Sequence, residues 1–303
     1  MKILLFGKNG QVGWELNRSL QALAEVIALD IEEVDFSNPE SLRDVVEKNS
    51  PDVIVNAVAH TAVDKAESEE ELAALINGVA PGVLAEEALK LNALLIHYST
   101  DYVFDGTKNG AYIETDAPNP LNAYGRTKLA GEKLVQSSGC DYLILRTTWV
   151  YASRANNFLK TILRLAKQKE QLSIVADQYG APTWARNIAD VTAHVIKASQ
   201  AERQVAEFVS DLYHLAAEGK TSWHGFAEAI IERAKVGDIA ESIKTESVLP
   251  IATEAYPLPA PRPKNSQLDS GRLSDRYGVI MPDWRESLSL CMDEIALNNE
   301  HGQ

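Results

Sequence analysis

Lys2-Ile3-Leu4-Leu5-Phe6-Gly7-Lys8-Asn9-Gly10-Gln11-Val12-Gly13 is the stretch that decides the fold. Lys2 to Phe6 is a short apolar run, the pattern of a strand buried on both faces of a parallel sheet. Past the glycines, Val12, Leu16, Leu20 and Leu23 recur on one face of a helix. Strand, glycine loop and helix in that order form the context of a dinucleotide fingerprint. Glycines let the backbone approach a pyrophosphate, and the helix N-terminus meets the anion. The spacing is Gly-x-x-Gly-x-x-Gly rather than Gly-x-Gly-x-x-Gly, so the flanking elements carry the reading more than the triplet does.

Working outward, a second strand, Val26 to Leu29, ends on Asp30, where a carboxylate would accept hydrogen bonds from an adenosine ribose. Ile31-Glu32-Glu33 follows with no Lys or Arg, so a 2′-phosphate would meet uncompensated negative charge. Asp35 and Phe36 come next. Together they could hold an adenine ring, or Phe36 could be core. A third strand, Asp52 to Asn56, runs into the small residues Ala57-Val58-Ala59 and then His60-Thr61. The acidic run Glu67 to Glu71 reads as a solvated helix face, and Asn77 to Asn92 as a helix with Pro81 in its first turn. A fourth strand, Ala93 to Tyr98, delivers Ser99-Thr100-Asp101-Tyr102 to the same edge. A fifth spans Leu143 to Tyr151. This alternation predicts an α/β fold, a Rossmann-type doubly wound parallel sheet, with a smaller, mixed C-terminal substrate domain. Residues 1–150 form the dinucleotide-binding domain. Residues 151–303 form mainly the second domain, with segments around 171–215 returning to the first. Beyond Tyr151, helices are expected at 158–169, 187–198 and 223–234, strands at 172–176 and 212–215, and a rim or lid loop at 250–263.

Composition narrows the function. A formal charge of −14 repels phosphodiester backbones, which argues against nucleic acid as a partner. The 2 cysteines, Cys140 and Cys291, are far apart, and the 6 histidines, His301 included, show no paired spacing. A disulfide framework and a zinc site are therefore not expected. No signal peptide or apolar run of membrane-spanning length is evident, which predicts a cytoplasmic protein without a membrane partner.

Tyr124-Gly125-Arg126-Thr127-Lys128 opens another apolar-periodic run. On a helix the phenol and the amine, four residues apart, share one face. An ammonium beside a phenol favours the phenolate and lowers its pKa, giving a pair able to exchange a proton with a sugar or alcohol oxygen. Alone, the pair could equally be a half-buried tyrosine and a solvated lysine, since about half a Tyr-x-x-x-Lys match arises by chance.

Taken together, the glycine loop, the run Asn56 to Glu67, Ser99 to Gly106, Tyr124 with Lys128, Arg146 to Tyr151 and Asp177 to Thr183 resemble the extended short-chain dehydrogenase/reductases acting on nucleotide sugars. More narrowly, they resemble the branch that reduces dTDP-linked 4-keto sugars. Dehydratases of that superfamily carry an acid directly after the Thr-Asp of the Ser-Thr-Asp loop; here Tyr102 stands there. Epimerases usually carry Asn-Val-Tyr-Gly where this chain has Trp149-Val150-Tyr151.

The resemblance implies NAD(P)H as hydride source, NADH or NADPH, lying against Gly7, Gly10, Gln11, Val12, Gly13, Asp30, Asp35, Phe36, Ala59, His60, Thr61, Tyr98, Tyr124 and Lys128. It makes Tyr124, Lys128 and Thr100 catalytic and places a nucleotide sugar against Thr100, Asp101, Trp149 and Arg262, the last as a phosphate clamp beside Lys264. Some relatives dimerise around Mg2+ held by two glutamates. Glu15 fits the first position, but Arg186 occupies the second, so no metal is expected and the protein is read as a monomer or homodimer. An epimerase and a non-catalytic NAD(P)-binding regulatory subunit are the alternatives.

Overall fold

The computed structural model describes residues 1–236 and 242–300. Residues 237–241 and 301–303, His301 among them, lie outside the described residues. β1 (Lys2–Phe6), α1 (Gln11–Leu20), β2 (Glu25–Leu29), α2 (Glu40–Asn49) and β3 (Val53–Asn56) follow one another in strict alternation. After them come α3 (Val63–Ala66), α4 (Glu70–Ala74), a π-helical turn (Leu75–Val79), α5 (Ala80–Leu91) and β4 (Leu94–Thr100). α6 (Ala123–Ser137) and β5 (Asp141–Thr147) complete the first half.

The strands alternate their side chains between two cores, as a period of two requires. Ile3 and Leu5 join Leu16, Leu20, Ile188 and Val195 on one face of the sheet. Leu4 and Phe6 join Leu42, Val46, Leu84 and Ala88 on the other. The sheet order is β10-β5-β4-β3-β1-β2, every pair parallel, where β10 (Asp211–His214) pairs with β5. The order reverses between β1 and β3, which opens a crevice at their carboxyl ends.

β6 (Val150–Tyr151), α7 (Phe158–Ala166), β7 (Gln171–Val175), β8 (Tyr179–Gly180) and β9 (Thr183–Trp184) begin the second half. α8 (Ala185–Gln204) then packs on α1 and leads to β10, so this segment is part of the large sheet layer. β11 (Thr221–Ser222), α9 (Trp223–Val236), β12 (Ser247–Ile251), α10 (Gly271–Tyr277) and α11 (Trp284–Glu300) follow. α7, α9 and α11 enclose a separate core of Leu159, Ile162, Phe226, Ile230, Trp284 and Leu288.

Two expectations are corrected. The fifth strand stops at Thr147, because Trp149 adopts φ +45°, a left-handed conformation that cannot continue a pleated strand, and β6 pairs with β9 instead. The helix expected from Asn77 begins earlier, at Glu70, and passes through the π-turn. A Cβ on Gly131 of α6 would lie 2.2 Å from the Asn77 carbonyl oxygen, so the two backbones cross in contact there. Pro81 sits at the start of α5 without ending the helix. The fused helix Glu70–Leu91 is thereby long and apolar enough to cross a membrane by length and composition, but most of it is buried in the core.

Candidate active site

Because all six strands are parallel, the segments that follow β1 to β5 emerge along one edge. The glycine loop is closed by contact. Gly7 takes φ +91°, Gly10 N–H donates to the Gly7 carbonyl at 3.0 Å, and a Cβ on Gly13 would lie 1.8 Å from that same oxygen. Gly10 begins α1 with no side-chain cap, so the first amides of the helix face outward without a side-chain acceptor. That is the donor set an anion needs, and the residues fit a dinucleotide. Val12 packs into the core below, while Gln11 Oε1 accepts from Asn157 Nδ2 at 2.9 Å.

Asp30 lies beside this loop, its Oδ2 accepting from Asn9 N–H at 2.8 Å. Lys8, in the same loop, is held by Glu33 at 2.5 Å. Asp35 accepts from the amide and hydroxyl of Ser37, which hold its carboxyl below the usual range. Phe36 departs from the expectation of an adenine platform. It is 3% exposed and packs edge-on against Phe6 at 5.4 Å, a core ring tucked under β1. Ala59, His60 and Thr61 follow β3 at the switch point. Asn77 fixes that loop, its Oδ1 accepting from His60 N–H at 2.8 Å and its Nδ2 donating to the His60 carbonyl and to Thr127 Oγ1 at 3.2 Å.

β4 ends in Ser99-Thr100 and Asp101 follows, all three buried. Asn122 starts α6, accepting from Gly125 N–H at 2.8 Å, and this places Tyr124 in the first turn and Lys128 one turn on. Gly125 is required by proximity, since a Cβ there would lie 2.1 Å from the Tyr102 carbonyl oxygen. Lys128 is 2% exposed and donates to the Tyr98 carbonyl at 2.6 Å. Burial pulls its ammonium down to about 8, opposed by Glu132. The half-buried Tyr124 ring packs edge-on against Tyr102 at 5.6 Å.

The expected effect on the phenol is reversed. Loss of water pushes Tyr124 up to about 12, the Thr100 hydroxyl pulls the other way, and the charge of Asp101 adds to the rise. Lys128 is committed to the Tyr98 carbonyl at 2.6 Å, and desolvation is the dominant influence on the phenol. Burial likewise pushes Asp101 up to about 6, against its hydroxyl neighbours Ser266, Thr100 and Thr148.

Tyr124, Lys128, Thr100 and Asp101 are thus gathered, with Trp149 following the adjacent strand β5. Trp149 stacks on Trp223 at 3.5 Å, and a Cβ on Gly180 would lie 2.7 to 3.0 Å from Trp149 Cε2, Cδ2 and Nε1, over the indole ring. Besides Phe36, two further expected residues are not gathered. The Tyr98 hydroxyl pairs with Thr192 Oγ1 at 2.7 Å inside the core, so this residue contributes its carbonyl and not its ring. Arg262 forms a bidentate pair with Asp64 at 3.0 and 2.7 Å and also donates to the Ala260 carbonyl. Its charge is compensated, which makes it a loop clasp in this structure rather than a free phosphate clamp. Lys264 is exposed, with Asp177 and Glu254 at 3.7 and 3.8 Å.

The residues do not fit a divalent cation at Glu15. That carboxylate is 2% exposed and accepts from Arg18 at 2.9 Å and from Arg186 at 3.1 and 3.2 Å, while Arg186 also reaches Glu294 at 2.7 Å. Among the described residues no cluster of three His, Cys, Asp or Glu could hold a metal.

Sequence reasoning missed Asn56, Asn77, His97 and Asp64. Asn77-Gly78, two weak helix formers inside a helical run, and His97, a titratable ring inside an apolar strand, were the available signals.

The family profile described as RmlD substrate binding domain matches residues 1–297. A dTDP-4-dehydrorhamnose reductase of Burkholderia thailandensis is 52% identical over 295 residues, covering 97% of this chain and 99% of that one. The crystal structure of a dTDP-4-dehydrorhamnose reductase from Clostridium acetobutylicum superposes with a TM-score of 0.89 at 37% identity, covering 97% of this chain and 99% of that one. Another, from Bacillus anthracis in complex with NADP, gives 0.85 at 33% identity with the same coverage of each chain.

Proposed function

The chain belongs to the family of the RmlD substrate binding domain, and from that premise we propose that it reduces the 4-keto group of dTDP-4-dehydro-L-rhamnose to dTDP-L-rhamnose, the last step of dTDP-rhamnose synthesis. NAD(P)H, when bound, supplies the hydride. The observation that carries the reading is the placement of Tyr124 and Lys128 one turn apart on α6, next to the end of β4 and on the sheet edge that also carries the glycine loop.

Carbonyl reduction adds one hydride to carbon and one proton to oxygen. A phenol held near 12 stays protonated at neutral pH and still gives its proton readily to an alkoxide, a far stronger base. Thr100 bonds the same oxygen, where charge grows. Lys128, anchored by the Tyr98 carbonyl, holds the nicotinamide ribose; the amides of α1 take the pyrophosphate and Asp30 the adenosine ribose. Asp101 and the half-buried Trp149 orient the sugar. Residues 151–303, apart from α8 and β10, serve mainly as the substrate domain. The protein acts in the cytoplasm on a nucleotide sugar, as a monomer or homodimer, without nucleic acid or membrane. Its charge of −14 and its two buried free thiols support this.

A dehydratase reading lacks its base, since Tyr102 and not a carboxylate follows Asp101. An epimerase consumes no net reductant. Loss of NADH or NADPH absorbance in step with added dTDP-4-dehydrorhamnose is the expected result; turnover of the sugar without that loss would sink the proposal. A regulatory subunit without catalysis would show neither.

A further inference from the structure

Behind Lys128 lies a buried polar chain that the mechanism above does not use. His97 on β4 is 0% exposed, and its Nε2 stands 3.5 Å from Lys128 Nζ. Its Nδ1 stands 3.2 Å from Asn56 Nδ2 on the neighbouring strand β3, where the two residues are in register. Asn56 Oδ1 in turn accepts from Val58 N–H at 3.1 Å.

These contacts decide where the ring proton sits. A backbone N–H can only donate, so the Asn56 amide must turn its oxygen to Val58 and its NH2 to His97. Nδ1 must then be the bare acceptor and Nε2 must carry the hydrogen. That N–H points at Lys128. An ammonium there is a donor facing a donor, whereas a neutral amine offers its lone pair. We propose that His97, locked in the Nε2–H tautomer by Asn56, is a positioning residue that weakens the hold of Lys128 on its proton. It thereby sets the pH range over which the site works.

The remaining charges around Lys128 do not supply this effect. Glu132, one turn along α6, favours the ammonium, but both of its oxygens are engaged by Arg146 of β5 at 2.8 and 2.6 Å. From α3, α4 and the segment between them, Asp64 is paired with Arg262, Glu70 with Arg126, and Glu67 with the Ala123 amide. Asp101 faces Tyr124 and Tyr102. His97 itself is held well below its ordinary value, first by burial and then by Lys128, so the ring stays neutral and the donor persists.

The inference rests on the reductase reading only for what Lys128 does, and its test does not need turnover. In protein carrying ring-15N histidine, assigned against His97→Gln, the His97 signal is expected to be that of the neutral Nε2–H tautomer across the neutral range. A Nδ1–H tautomer or an imidazolium overturns the inference. Asn56→Ala removes the dictating amide without changing charge and frees the ring to turn its lone pair to Lys128. The alkaline limit of NADH binding should then move up by about one pH unit; an unmoved limit overturns the inference too. Should Asn56→Ala not fold, the spectrum of the unaltered protein decides alone. Protein with the expected tautomer that fails to reduce the keto sugar would refute the reductase reading and leave this inference standing.

Discussion

At the scale of single residues, proton donation by Tyr124 and cofactor holding by Lys128 are separate tasks in the proposed function. Tyr124 is kept protonated by desolvation, and Lys128 is pinned by the Tyr98 carbonyl. Tyr124→Phe should therefore lower kcat by about 10²–10⁴-fold while NADH binding, measured by fluorescence, stays within a few-fold; retained turnover would remove the catalytic assignment. Arg262 behaves differently from a ligand clamp, because Asp64 already takes both of its outer nitrogens. Asp64→Asn should lower the melting temperature and loosen the rim at 256–264, seen as faster proteolysis there, with NADH affinity unchanged.

Among the elements, close backbone approach does much of the positioning. Gly13→Ala places a Cβ where the Gly7 carbonyl oxygen stands. It should abolish dinucleotide binding by calorimetry, because α1 can no longer start against the loop. Asn77 ties the loop after β3 to the π-turn and to α6. Asn77→Ala leaves the His60 amide without its acceptor and should cost about 1–3 kcal/mol in denaturant unfolding. The loop after β4 is held by Asp105, whose carboxyl is pulled from 3.8 to about 2 by Asn119 and Thr107, with Tyr112 adding less. A folded value below the unfolded one gives stability that is present above about 4 and lost as pH falls toward about 2. The melting temperature should drop through that window, and Asp105→Asn should flatten the drop.

Over the whole molecule, Arg186 joins α1, α8 and α11 by pairing with both Glu15 and Glu294. A fixed guanidinium there takes the place of any divalent ion. Dialysis against EDTA should leave both turnover and melting temperature unchanged. Arg186→Ala should cost at most about 3 kcal/mol, since Arg18 still faces the buried Glu15 carboxylate. A loss of activity on chelation that Mg2+ restores would contradict this.

What the sequence determined by itself was the sheet and its carboxyl edge. Runs such as Lys2 to Phe6 and Ala93 to Tyr98 are buried on both faces, and periodicity with glycine spacing is a local property that survives without coordinates. That Tyr124 and Lys128 stand one turn apart on a helix was legible for the same reason, through helical spacing. Only the tertiary structure decided the sign of the shift on Tyr124, the burial of Phe36 and Tyr98, the capture of Arg262 by Asp64 and the chain from Asn56 through His97 to Lys128. Each depends on residues between 23 and 198 positions away in the chain meeting in a water-poor interior. There, desolvation and the choice of hydrogen-bond partner set charge states that residue identity leaves open.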